Sequence, residues 1–214
     1  RVGVGEQVRH LGSGRAVRRS GHRVVGERLH RHAARRGPGH EAARVPEEGG
    51  RDAHFAYGKF AVYPGNNFET HLKTFTEGAF KLNGKTKKAS AVMPYYTISY
   101  NQDTKNGENV GNGFSKYIVT DLLRNKYGYD GVVCTDWLIT ANEGPTPDVF
   151  SGKSWGVEKL TIAERHYKVL MAGVDQFGGN NDINPVLEAY QMGVKEHGDI
   201  FMRKRFEQSA VRLL

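Results

Sequence analysis

The stretch Tyr127-Gly-Tyr-Asp-Gly-Val-Val-Cys-Thr-Asp-Trp137 sets an acid and an indole side by side at the end of an apolar run. A carboxylate so placed can attack an electron-poor carbon or accept a proton, provided its surroundings keep it ionised. The indole of Trp137 adds a flat apolar face for a ring-shaped ligand. An acid after a strand is more often a helix cap or a loop residue, so the whole phrase carries the signal, not Asp136 alone. Arg51, Asp52 and His54 form a second polar cluster, open to a structural salt bridge or to ligand contact. Glu143 and Asp148 follow on the next loop, beside Pro and Gly, and read as solvated acids. His71, His166 and His197 sit singly on helical stretches and read as surface or packed residues rather than metal ligands.

Elements must hold Asp136 in place. Gly131 to Cys134 is a short, non-alternating apolar run, the pattern of a strand buried on both faces. The run before it, Asn112 to Lys126, predicts a helix with Phe114, Ile118, Val119, Leu122 and Leu123 on one face, stopped by Gly128. Arg124 and Asp130 flank that helix and read as an ion pair or a cap. Upstream, Asn66 or Asn67 can cap a helix carrying Phe68, Leu72, Phe75 and Ala79, which Asn83-Gly84 ends. Ala89 to Met93 predicts a strand that Pro94 closes. Tyr95 to Gly113 reads as a long polar loop, and Leu138 to Val157 as another. Downstream, Thr161-Ile-Ala-Glu164 is a capping box opening a helix to Ala172, with Gly173 as its stop. Val174 to Phe177 is a candidate strand, and Asn184-Pro185 opens a helix with proline in its first turn. Asp199 is the expected cap of the last helix, whose stripe is Met202, Phe206, Ala210 and Leu213. Helices alternating with buried strands predict an α/β fold with a parallel sheet.

Composition divides the chain. Residues 1–45 hold eleven Arg, no Lys and three Glu, which is the whole net charge of +8. The remainder holds 20 basic and 20 acidic residues, and the first aromatic is Phe55. We therefore set residues 1–46 apart from residues 47–214. Three readings fit the arginine-rich part: a basic arm for nucleic acid or another polyanion, a solvated tail, or out-of-frame translation of GC-rich DNA. The shortage of lysine and aromatics favours the third. The chain has no run of about 20 apolar residues and no apolar core of a signal peptide, so neither membrane insertion nor a location is read from it. The single cysteine, Cys134, reads as a small buried hydrophobe. The glycines around Gly111 and Gly113 lack the strand–turn–helix context of dinucleotide binding.

The phrase ending in Asp136-Trp137 closely resembles the nucleophile segment of family-three glycoside hydrolases, the β-glucosidase and exo-β-glucanase type. Three other segments are similar to that family. They are Gly49-Gly-Arg-Asp-Ala-His54, Ala91-Val-Met-Pro-Tyr-Tyr96 and Ala172-Gly-Val-Asp-Gln176. The resemblance implies a (β/α)8 barrel, incomplete in this chain because 168 residues follow position 46 and a full barrel takes about 250. It implies retaining hydrolysis of a terminal β-linked glucose, with a β-glucoside or oligosaccharide as substrate and no metal or organic cofactor. Asp136 would be the nucleophile and Tyr96 would position it. Met93 and Trp137 would grip the sugar, with Arg51 and His54 at its edge. The family's acid/base glutamate comes from a second domain after the barrel, so the acid is expected from a missing C-terminal domain; the alternative is a non-catalytic fragment, and a homo-oligomer is the other partner the resemblance leaves open. The Lys-His sugar-binding pair of the family has no clear counterpart; only His40 falls at a matching offset.

Overall fold

The computed structural model describes residues 52–144 and 151–214. Four two-residue strands occur in order: β1 (Phe60–Ala61), β2 (Ala91–Val92), β3 (Ile98–Ser99) and β4 (Val132–Val133). The strand-to-strand pairings are parallel, β1 with β3, Phe60 against Ile98, and β2 with β4, Ala91 against Val132; Ile98 also makes an isolated antiparallel bridge to Gly111. Among the described residues these form two separate pairs and no closed ring. The helices are α1 (Phe68–Lys73), α2 (Ile162–Ala172), α3 (Asn184–His197) and α4 (Asp199–Leu213). Thr74–Ala79 continues α1 with a wider π winding, and a ten-residue π-helix runs Tyr117–Lys126. The chain is thus α/β, as its alternating pattern predicts.

Strand β4 has a hydrogen-bonded neighbour on each edge, and of its two valines Val133 is fully buried and Val132 partly so. On one side the Val132 amide donates to Ser90 O and the Cys134 amide to Val92 O, each at 3.0 Å. On the other, the Asp175 amide donates to Val133 O at 2.8 Å and the Thr135 amide to Gln176 O at 2.9 Å. The predicted strand Val174 to Phe177 is therefore present only as a single parallel bridge, Cys134 to Gln176. Cys134 itself is half-buried rather than buried.

The loop expected at Tyr95 to Gly113 contains β3 and a 3-10 turn, Asn112–Phe114. Polar residues around Ile98 and Ser99 hid a strand whose two residues are both buried. The predicted helix over Asn112 to Lys126 is split, because Ser115 leaves the helical path (φ −85°, ψ 111°) and its Oγ accepts the Ile118 amide at 3.2 Å. Gly128 follows at φ +60°, the expected left-handed stop. Asn67 stands at the start of α1 without a capping hydrogen bond from its side chain.

Helix α2 begins with the capping box read from the sequence. Glu164 N donates to Thr161 Oγ1 at 3.2 Å, and Thr161 N to Glu164 Oε2 at 2.7 Å. Gly173 ends it at φ +105°. Asp199 does not cap α4; its carboxylate accepts from Tyr190 and Arg203 instead. The expected apolar stripe of α4 is only partly buried: Met202 is inside, whereas Ala210 and Leu213 are exposed. The face that turns inward carries Arg205, Ser209 and Arg212. Ser209 Oγ and Arg212 Nη1 both reach Asp175 Oδ1, at 2.7 and 2.9 Å. Arg124 joins the same carboxylate at 2.6 Å, so it pairs with Asp175 and not with Asp130, which points to solvent near Lys88. The side chain of Asp175 has no exposed surface, and its Oδ2 also accepts the Val133 amide at 3.0 Å.

Candidate active site

The tip of β4 places Asp136 where β2 and the 174–178 segment also end. Its residue is only 7 % exposed, and Oδ1 accepts the Trp137 amide at 2.7 Å. Tyr96, 1 % exposed, arrives from the chain just after β2. Its hydroxyl donates to Trp137 O at 2.6 Å and lies within hydrogen-bond reach of the Asp136 carboxylate. Burial raises the Tyr96 phenol well above its ordinary value, and the negative charge of Asp136 raises it further. Tyr96 therefore stays protonated, and its single O–H proton lies within reach of two acceptors, Trp137 O and the Asp136 carboxylate. The charge of Asp136, after burial, also pushes up the Cys134 thiol.

Asp52, His54 and Tyr95 make a second polar centre beside the first. Asp52 Oδ1 accepts the His54 amide at 2.9 Å and the Tyr95 hydroxyl at 2.7 Å, and lies 2.6 Å from His54 Nδ1. Burial works to raise the Asp52 carboxyl, but these hydrogen bonds outweigh it and hold the group at about 2. Burial followed by the bond to Asp52 drives the Tyr95 phenol upward. The His54 ring meets Tyr95 and Tyr96 edge-on, with centroids 5.6 and 5.1 Å away. The two centres thus share one aromatic cluster.

Trp137 is 56 % exposed, so its ring is available at the mouth of this arrangement. Tyr95 (φ +64°) and Leu138 (φ +55°) both adopt left-handed backbone. Such geometry is costly for residues other than glycine and concentrates where a site over-determines it. In this chain the two flank the contact between Tyr96 and Trp137, turning both residues toward Asp136.

The predicted residues thus fall into clear places. Asp136, Tyr96 and Trp137 come together, and His54 stands against Tyr96. Met93 is buried just before Pro94. Arg51, Asp148 and His40 lie outside the described residues. Glu143 is exposed on its loop. His166 is packed, its Nδ1 2.8 Å from Ile162 O. Among the described residues no group of three or more His, Cys, Asp or Glu is set to hold a metal ion. Sequence reasoning missed Tyr95, although two tyrosines in succession can face one site only if the backbone between them turns unusually. It also missed Asp175, whose signal was an acid inside an apolar run.

Comparison with known proteins adds a second line. No protein-family model matches the chain. A periplasmic beta-glucosidase/beta-xylosidase of Dickeya chrysanthemi is 44 % identical over 158 residues, 67 % of this chain and 23 % of that protein. A probable beta-glucosidase C of Aspergillus oryzae is 38 % identical over 168 residues, covering 78 % of this chain and 25 % of its own length. The chain spans about a quarter of the length of the curated relatives it matches. Among solved structures, CbsA from Thermotoga neapolitana superposes with a TM-score of 0.51 at 17 % identity, over 75 % of this chain and 31 % of its own. The beta-glucoside phosphorylase BglX does so with a TM-score of 0.50 at 16 % identity, over 76 % and 26 %. At those identities the likeness is one of fold.

Proposed function

This chain belongs to glycoside hydrolase family three, over part of its relatives' length, and on that premise we propose that it carries the nucleophile of a retaining β-glycosidase. Asp136 attacks the anomeric carbon. An oxygen of its carboxylate bonds to that carbon as the bond to the leaving oxygen breaks, and water later displaces Asp136 from the opposite side. Two inversions return the original configuration. The observation that carries this is the buried Asp136 carboxylate, with the Tyr96 phenol beside it and the open face of Trp137 next to it.

Tyr96 positions and stabilises the carboxylate; Trp137 and Met93 hold the sugar, with Arg51 and His54 at its edge. The substrate is a terminal non-reducing β-linked glucose, consistent with the names of the two curated relatives. The proton for the leaving oxygen comes from a part of the longer enzyme that this chain does not span. The sheet is proposed as part of a (β/α)8 barrel. Parallel partners lie about 40 residues apart, as from Ala91 to Val132 and from Cys134 to Gln176, a spacing that accommodates a helical crossover.

An activated 2-fluoro-glucoside tests this, since a good leaving group needs little protonation. The chain is expected to gain the mass of one fluoroglucosyl group, mapped to the peptide containing Asp136 and lost in Asp136→Asn. An unmodified mass after prolonged incubation would show that Asp136 is not a nucleophile.

A further inference from the structure

Trp137 rests on two glycines from a distant part of the chain. A Cβ built on Gly179 would approach Trp137 Cδ1 to 2.6 Å and Cγ to 2.8 Å; one on Gly178 would meet Thr135 O first, at 2.5 Å, and then Trp137 Cε3 at 2.8 Å and Cζ3 at 3.0 Å. All but the last are shorter than real side chains tolerate, and those to Trp137 together span both rings of the indole. Gly179 has φ +67°, a conformation that other residues adopt only at a cost. The glycines are also tied to the segment they support. Gly178 N donates to Thr135 Oγ1 at 2.7 Å, and Leu138 N donates to Gly178 O at 3.2 Å. Gly178 and Gly179 thus lie close against the indole while more than half of Trp137 remains exposed.

We propose that Gly178 and Gly179 are positioning residues that set the plane of Trp137, and through it the affinity for a sugar ring stacked on the indole. The inference rests on the glycosidase reading above and extends it to residues outside the acid-bearing segment. A methyl group at 179 has nowhere to go except into the indole, because its three nearest neighbours are all atoms of Trp137. The ring must tilt or swing, and the apolar face offered to the pyranose moves with it.

The test compares the unsubstituted chain with Gly179→Ala, Trp137→Ala and the double variant. Glucose and cellobiose affinity is read by calorimetry, and thermal midpoints by circular dichroism. Gly179→Ala is expected to weaken sugar binding about tenfold, the size of losing one good aromatic contact. Where turnover of an activated aryl glucoside is measured, KM should rise more than kcat falls. In the Trp137→Ala background, Gly179→Ala should weaken binding no further, and much of its thermal penalty should disappear. Equal losses in both backgrounds, or unchanged affinity in a folded Gly179→Ala, would overturn the proposal. If Gly179→Ala fails to fold, the double variant decides: folding supports the proposal and failure overturns it. If the unsubstituted chain binds no sugar, the glycosidase reading and the sugar-affinity half of this proposal fall together. The thermal coupling between positions 137 and 179 then still judges whether the glycines place the ring.

Discussion

Each of the two adjacent tyrosines serves a different carboxylate. Tyr95 donates to Asp52, while the one O–H proton of Tyr96 lies within reach of both Trp137 O and the Asp136 carboxylate and can turn to the acid. Removing the Tyr96 hydroxyl should therefore affect the proposed nucleophile directly. Tyr96→Phe is expected to slow fluoroglucosyl labelling by about tenfold to a hundredfold, the range for a hydrogen bond to a charged group. Unchanged labelling kinetics would remove Tyr96 from the site. Asp52 gives a pH signature. Its carboxyl is held at about 2 against an ordinary 3.8, so the unfolded chain takes up a proton before the native one does. Its contribution to stability is present above the ordinary value and lost as pH falls from there toward 2. Urea midpoints taken at about pH 5 and about pH 2.5 should differ less in Asp52→Asn than in the unsubstituted chain. The acid–indole pair was legible because a sharp change from apolar to charged residues marks a strand tip. The Asp52–Tyr95 contact was not, because it joins residues 43 apart through a left-handed turn that no local pattern announces.

Among the elements, α2 shows how much local chemistry can reveal. Its capping box and its glycine stop are contacts within a few residues, and both were readable from residue type and spacing. Thr161→Ala removes the side-chain acceptor for Glu164 N and should lower stability by about 1 kcal/mol. A chemical denaturation midpoint that does not move would show the box to be idle. Helix α4 shows the opposite. Counting apolar residues selects Met202, Phe206, Ala210 and Leu213, but Arg205, Ser209 and Arg212 turn inward because a buried acid waits for them. The partner of that polar face is Asp175, 34 positions before Ser209, and helical periodicity carries no information about it. The long loop after Pro94 misled for a related reason. A two-residue strand is too short to show an alternation, and only its partner β1 makes it one.

Across the whole molecule, Asp175 gathers the π-helix, α4 and β4 onto one carboxylate. Arg124 and Arg212 pair with it, Ser209 donates to it, and so does the Val133 amide of the strand leading to Asp136. Asp175→Asn would keep the shape and leave the guanidinium groups without their counter-charge. Breaking a buried pair in this way costs about 3 kcal/mol or more, and the urea midpoint should fall accordingly; a change of only a few tenths would show that solvent takes over the pairing. The parallel sheet imposes a different demand on the way the molecule is made. As the nascent chain leaves the ribosome, β1 must wait for β3, β2 for β4, and Cys134 for Gln176. No hairpin supplies an early local step among the described strands, so apolar segments such as Val132-Val133 emerge before their partners exist. Slow closure of this kind leaves strand edges open to other chains. The yield of soluble protein should accordingly respond to growth temperature and to chaperone supply.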